Sequence, residues 1–144
     1  MKQFADTSVL VAGMVESHEK HAICHEWLRH VNSAGETWFV SSHSLLETFA
    51  VLTSLPLTPR MAPGTARRLV RVNVEDKANV IDIDATGYYQ ALDRLADEGF
   101  TGGIVYDGLI GWAANQVEAD RLITLNTSDF RRCPWLDATD VVPP

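Results

Sequence analysis

Short apolar, β-prone runs alternate along the chain with longer segments in which apolar residues recur at spacings of three and four, the order of a parallel α/β domain. Gln3 to Asp6 is the first short strand, and Thr7 or Ser8 caps a helix running toward Met14. Ser17 precedes a second helix, roughly Glu19 to Val31, whose Ala22, Ile23, Trp27 and Val31 share the helical spacing. Trp38 to Ser41 is a second strand, and Ser42 caps a helix through about Leu55. Pro56, Pro59, Pro63 and Gly64 punctuate the middle, followed by a short basic helix from Thr65 to Val72 carrying Arg67, Arg68 and Arg71. Val80 to Ile83 forms a third strand, and a helix from about Thr86 to Glu98 ends at Gly99. Gly102 and Gly103 open another helix, Ile104 to Glu118; Arg121 to Leu125 is a fourth strand and Asp140 to Val142 a candidate fifth. Helices between strands at this spacing predict one central parallel sheet of four to five strands with helices on both faces. The Pro-rich bend is too short for a linker, so residues 1–144 read as a single domain.

Composition adds little to that picture and charge adds more. The chain has 144 residues, 46% hydrophobic and 22% charged, a size that buries a core without disulfides or metal. Cys24 and Cys133 therefore read as two reduced thiols in a cytoplasmic protein. No apolar run approaches a membrane span, and Met1 to Asp6 is too short and polar for a secretory leader, so no membrane association is expected. The formal net charge of -7 argues against a protein that coats nucleic acid by bulk electrostatics. It leaves open an enzyme that meets a polyanion through metal ions.

The acids are not evenly spread. Residues 3–15 contain one charged residue, Asp6; residues 37–59 contain only Glu47; residues 99–117 only Asp107; residues 122–130 only Asp129. An ionised carboxylate among apolar neighbours is costly unless a cation or several donors satisfy it, and neither Glu47 nor Asp107, the two inside predicted helices, has a Lys or Arg at helical spacing. Asp6 ends one predicted strand and Asp129 follows another, at the carboxyl edge where parallel sheets place binding groups; the plainer reading of each is a cap or turn residue. Glu47 and Asp107 fall inside predicted helices. Asp107 shares its helix face with Gly103, Gly111 and Ala114, too small to cover it, which predicts a pocket around the carboxylate. Oxygen ligands without an accompanying Cys or His cluster suit a hard cation such as Mg²⁺ or Mn²⁺, the ions that activate water for phosphodiester hydrolysis.

The segments Phe4-Ala5-Asp6-Thr7-Ser8-Val9-Leu10-Val11, Ser44-Leu45-Leu46-Glu47-Thr48-Phe49, Gly103-Ile104-Val105-Tyr106-Asp107-Gly108-Leu109-Ile110 and Thr124-Leu125-Asn126-Thr127-Ser128-Asp129-Phe130 resemble, in order and spacing, the acidic motifs of PIN-domain nucleases. The resemblance spans nearly the whole chain and is closest in kind to the VapC toxins of type II toxin–antitoxin modules. It implies a PIN-like α/β fold and a Mg²⁺-dependent endoribonuclease, with Mn²⁺ as a substitute, acting on tRNA or ribosomal RNA. It also implies silencing by a VapB-type antitoxin, a homodimer and a cytoplasmic location. Carried over by motif, Asp6, Glu47, Asp107 and Asp129 are the catalytic metal-binding carboxylates, and Ser8 and Asn126 are supporting contacts. Where the family usually has alanine after the third acid, this chain has Gly108.

Other features compete less well. His18, His21, Cys24 and His25 have zinc-compatible spacings but lie on a charged helix, where surface histidines are the simpler reading. Arg131 and Arg132, directly after Asp129, are candidate contacts for substrate phosphates, since guanidinium forks match phosphate geometry. Arg67, Arg68 and Arg71 read as a solvated face, and Trp27, Trp38, Trp112 and Trp135 as core or dimer contacts. A phospho-acceptor receiver domain also gathers acids at strand ends, but it needs a late lysine, and the lysines here are Lys2, Lys20 and Lys77. A catalytically silent PIN-like module that only binds RNA or a partner is the remaining alternative.

Overall fold

A computed structural model describes residues 1–144. Its centre is a five-stranded sheet, all parallel, built from β1 (Gln3–Ala5), β2 (Trp38–Ser41), β3 (Asn79–Ile81), β4 (Arg121–Ile123) and β5 (Asp140–Val142) in the order β3-β2-β1-β4-β5. Seven α-helices connect and cover it: α1 (Thr7–Met14), α2 (His21–Ser33), α3 (Ser42–Ser54), α4 (Pro63–Val70), α5 (Ala85–Asp97), α6 (Ile104–Gln116) and the single turn α7 (Thr127–Phe130). The candidate fifth strand pairs with β4, so the expected parallel α/β architecture holds at five strands.

Side-chain alternation along the strands explains the two covered faces. Phe4, Leu122 and Val141 lie in one row of the register and pack with Ile110, Ala113 and Ala114 of α6 and Phe130 of α7. On the opposite face, Ala5 and its register partner Val40, with Trp38 two residues back on β2, pack with Leu10 of α1 and with Leu28 and Val31 of α2. Ile123 joins this second side beside Val9, Ala12 and Cys24. Of the tryptophans, Trp38 is fully buried and meets Trp27 edge to face at 5.7 Å.

The chain builds outward from β1 through β2 to β3, then crosses back to lay β4 against the other side of β1. That reversal makes the carboxyl ends of β1 and β4 the topological switch point, where parallel α/β sheets open a crevice.

Several element ends differ from the sequence expectation. The second helix begins at His21, not Glu19, because residues 15–20 form a turn in which the His18 N–H donates to the Val15 carbonyl at 3.0 Å. Asp6, not Thr7 or Ser8, stands at the N-cap position of α1, and Ser41, not Ser42, caps α3 by accepting from the His43 N–H at 3.2 Å. The basic helix starts earlier, at Pro63, and ends in a π turn, Arg71–Glu75, closed by the Asp76 N–H on the Arg71 carbonyl at 2.9 Å. Arg67 pairs with Glu75 at 2.7 Å across that bend. The strands β3 and β4 stop two residues short of their expected ends, and Asp84, beyond β3, caps α5 through the Gly87 N–H at 2.8 Å. The sixth helix ends at Gln116 rather than Glu118, where Glu118 takes a left-handed φ of 51°.

Candidate metal and phosphodiester site

The register of β1 against β4 aligns Ala5 with Ile123, and the Asp6 N–H continues the ladder to the Ile123 carbonyl at 3.0 Å. One residue further, Asp6 and Thr124 meet at the sheet's carboxyl edge. The Thr124 Oγ1 hydroxyl donates to Asp6 Oδ2 at 2.8 Å, and the Ser8 Oγ hydroxyl donates to the same oxygen at 2.6 Å. Each hydroxyl in turn accepts a backbone N–H, Ser8 from Leu125 at 3.1 Å and Thr124 from Asn126 at 2.9 Å. An N–H on each hydroxyl oxygen leaves its proton directed at the carboxylate, and such chained bonds polarise one another. Both donors use Oδ2, which leaves Oδ1 free of side-chain donors.

Asp6 is only 3% exposed, and burial pushes its carboxyl above the ordinary range against the opposing pull of Ser8 and Thr124. Weaker backbone hydrogen bonding from the Ser8 and Thr7 N–H groups also favours its charged form, although neither reaches the geometry of a full capping bond. Although Asp6 stands at the N-cap position of α1, capping is not what chiefly holds its carboxylate. It is a buried acid held by two hydroxyls.

Glu47 and Asp107 reach the same place from α3 and α6. A cleft of about 430 Å³ is lined by Asp6, Ser8, Glu47, Asp107 and Asn126, and also by His18, Glu19 and Lys20 from the α1–α2 turn. Burial raises the Asp107 carboxyl to about 6, with further contributions from Asp6, Asp129 and Glu47 in that order. Burial also raises Glu47, opposed by His43 and reinforced by Asp6. Asp129, on α7, does not line the cleft but lies close enough for its charge to act on Asp107. The negative potential extends to the buried Cys133 thiol, pushed up to about 12 by burial and then by Asp107.

Three residues at this site escaped the sequence reading. His43, four residues before Glu47 on α3, places Nε2 at 3.0 Å from Glu47 Oε2. His43 favours the Glu47 carboxylate first by charge and then by hydrogen bonding, although the pair falls short of a well-aligned bond. His43 also stacks on the exposed Tyr106 ring, 4° from parallel and 5.7 Å between centroids, tying α3 to α6. Counting only Lys and Arg as partners hid this pair. Thr124 was visible only as a hydroxyl closing an apolar strand, and Lys20 only as one charge in a charged segment.

Other expectations change on contact with the structure. Asn126 lines the cleft but makes no side-chain cap at α7. Arg131 directs Nη2 to the Val141 carbonyl at 3.3 Å, and Arg132 lies over the Phe100 ring at 5.6 Å, so neither guanidinium lines the cleft. Gly111 does not open space beside Asp107: Trp135 Nε1 and Cys133 Sγ fill it, and a Cβ there would stand 3.0 and 3.3 Å from them. Gly103 does stand clear, with nothing within 4 Å of its Cβ direction. His21 and His25 turn Nδ1 toward the Ala12 and Gly13 carbonyls at 2.9 and 3.2 Å, and Cys24 is buried, which accounts for the apparent zinc spacing.

The donor set suits a hard divalent cation. Burial and mutual repulsion hold Glu47 and Asp107 above their ordinary range, a penalty that a cation between them would relieve. As placed, no three acid, imidazole or thiol side chains converge closely enough to hold a metal ion among themselves; the carboxylates share an open cleft, which suits only an ion that keeps several waters. Asp6, Glu47 and Asp107 would hold it, with Asp129 at the periphery.

Fold and site together define a parallel α/β domain with an open carboxylate centre at its switch point. The PIN domain family model matches residues 4–136, and the chain belongs to the PIN-domain family. It is 35% identical over 128 residues to Ribonuclease VapC40 of Mycobacterium tuberculosis, covering 88% of this chain and 85% of that protein. Among solved structures, Mycobacterium tuberculosis VapC20, described as a Sarcin-Ricin loop cleaving toxin, superposes with a TM-score of 0.72 at 17% identity, covering 99% of both chains. The VapBC2 complex of Rickettsia felis, bound to a DNA fragment from its promoter, gives 0.68 at 18% identity, covering 100% of this chain and 99% of that one.

Proposed function

We propose that this chain is the toxin of a type II toxin–antitoxin pair, an endoribonuclease that hydrolyses phosphodiester bonds of tRNA or ribosomal RNA with Mg²⁺, or Mn²⁺ in its place. The observation that carries the reading is the convergence of Asp6, Glu47 and Asp107 on one cleft, with Asp6 held by two oriented hydroxyls. The 35% identity to a protein named a ribonuclease supports the activity, and structural likeness to a VapBC complex supports a VapB-type antitoxin. An apolar strip on α3, with Leu46 70% exposed beside Leu45 and Phe49, suits that partner. Exposed Tyr88, Tyr89 and Leu92 on α5 suit a homodimer contact. Two free, buried thiols fit a reducing cytoplasm, and no helix is long and apolar enough to cross a membrane.

When bound, the divalent ion supplies a water of lowered pKa and shields the leaving oxygen. The chain's own contribution is placement. Ser8 and Thr124 prevent the Asp6 carboxylate from rotating, and His43 restrains Glu47. Asp107 supplies charge from a position with no side-chain partner. Incubating the protein with total cellular RNA tests the reading: cleavage in Mg²⁺, its loss in EDTA, and its loss in Asp6→Asn with cooperative unfolding retained. Undiminished cleavage by Asp6→Asn, or cutting in EDTA, would refute it, and RNA binding without any cleavage would favour the silent module.

A further inference from the structure

An acidic cleft meets a polyanion badly unless positive charge is supplied beyond the metal. A divalent ion accounts for the phosphate being cut; the phosphates on either side need another source. The arginines that follow Asp129 do not provide it in the cleft, since Arg131 is spent on the Val141 carbonyl and Arg132 on the Phe100 ring. Of the Lys and Arg residues, Lys20 alone borders the cleft, next in sequence to Glu19.

Lys20 is placed by its backbone. It closes the turn between α1 and α2, where its N–H donates to His18 Nδ1 at 3.0 Å and the His21 N–H donates to the His18 carbonyl at 2.9 Å. His21 Nδ1 on the Ala12 carbonyl at 2.9 Å anchors the same turn to α1. The Lys20 ammonium makes no ion pair, whereas Arg67 and Arg94 are committed to Glu75 and Glu98. Its charge acts on the Cys24 thiol one turn along α2 and not on Asp6, Glu47 or Asp107, so the exposed ammonium lies outside the carboxylate group. A flexible point charge there can take a phosphate without reading a base.

We infer that Lys20 forms a second anionic subsite, binding an RNA backbone phosphate next to the one held over the carboxylates, so that metal and ammonium together set the strand's position. This rests on the ribonuclease reading above.

The test compares wild type, Lys20→Ala, Lys20→Glu and Lys20→Arg. Binding of a fluorescein-labelled single-stranded oligoribonucleotide is followed by anisotropy in Ca²⁺ across a KCl series, beside Mg²⁺-dependent cleavage of total cellular RNA. Lys20→Ala should weaken binding about fivefold at moderate salt, as loss of one exposed ion pair would. It should lower the slope of log K against log salt by about 0.7, the value for one phosphate contact on a single strand. Lys20→Glu should weaken binding further, and Lys20→Arg should restore both affinity and slope. A wild type that cuts RNA while Lys20→Ala keeps wild-type affinity and slope overturns the subsite and leaves the ribonuclease reading standing. A wild type that neither binds nor cuts RNA overturns both.

Discussion

Asp107 offers the sharpest test of the electrostatic account, because its charge should weaken the metal-free fold. Its carboxyl has no hydrogen-bond partner, and burial together with Asp6, Asp129 and Glu47 raises it from 3.8 to about 6. At full value such a rise amounts to about 3 kcal/mol at neutral pH. The side chain is only half-buried and its neighbours are screened by solvent and salt, so about 1 kcal/mol is the figure to expect. Replacing Asp107 by Asn removes the charge at nearly constant shape and breaks no hydrogen bond. In EDTA at pH 7.5, Asp107→Asn should therefore unfold at a higher temperature than wild type, by about 2–4 °C for a domain of this size.

The pH dependence follows from the direction of the shift. An acid whose folded pKa lies above its unfolded value is destabilising once both states are ionised, and neutral in effect when both are protonated. Wild type should lose stability relative to Asp107→Asn as pH rises from about 4 to about 6, and the gap should be constant above that. Adding Mg²⁺ should reverse the order, since ligand binding stabilises only the protein that binds it. Calorimetry of both proteins between pH 4 and 8, with and without Mg²⁺, measures all three effects. Equal or lower stability of Asp107→Asn in EDTA at pH 7.5, or a gap that does not change with pH, would refute the reasoning.

Thr124→Val keeps shape but removes one of the two hydroxyls on the buried Asp6. It should cost about 1–2 kcal/mol in unfolding and about tenfold or more in RNA cleavage, with Thr124→Ser recovering most of both; wild-type rates in Thr124→Val would show that Ser8 suffices. Gly108→Ala would place a Cβ 2.6 Å from Leu95 Cδ2, so overpacking of about 1–3 kcal/mol should outweigh a helix-propensity gain of about 1. In a Leu95→Ala background the same change should become stabilising, and denaturant unfolding of the four proteins reads that non-additivity directly.

The strands and most helices were legible because burial on both faces of a parallel sheet leaves short apolar runs, and because helix faces repeat every three to four residues. What periodicity could not show were the departures from it. The π turn at Arg71–Glu75 buries Val74 while exposing Val72, and α7 is too short to have a period at all. Caps slipped by a residue where two candidate side chains were adjacent, as with Ser41 and Ser42, because only the backbone's extended φ and ψ at Ser41 decide between them. The space expected beside Asp107 is closed at Gly111 by Trp135 and Cys133, which arrive from the far end of the chain.

The same distinction separates the acids from their helpers. An isolated carboxylate in a neutral window is costly wherever it lies, so Asp6, Glu47 and Asp107 announced themselves by type alone. Thr124 matters only because the β1–β4 register sets it beside Asp6, and Lys20 only because the α1–α2 turn borders the cleft. Neither fact exists before the tertiary structure does. Register also ranks the acids by constraint. Asp6 extends the central strand and is bonded through its backbone to β4 and through its carboxylate to Ser8 and Thr124. Glu47 and Asp107 sit on long helices, with one Coulombic partner between them, His43. Asp129 rides on a single turn and touches the site only through its field. A metal bound by this set would draw its fixed reference from Asp6 and its adjustable ligands from the helices, so substitutions that shift α3 or α6 should alter affinity for the ion before they abolish it.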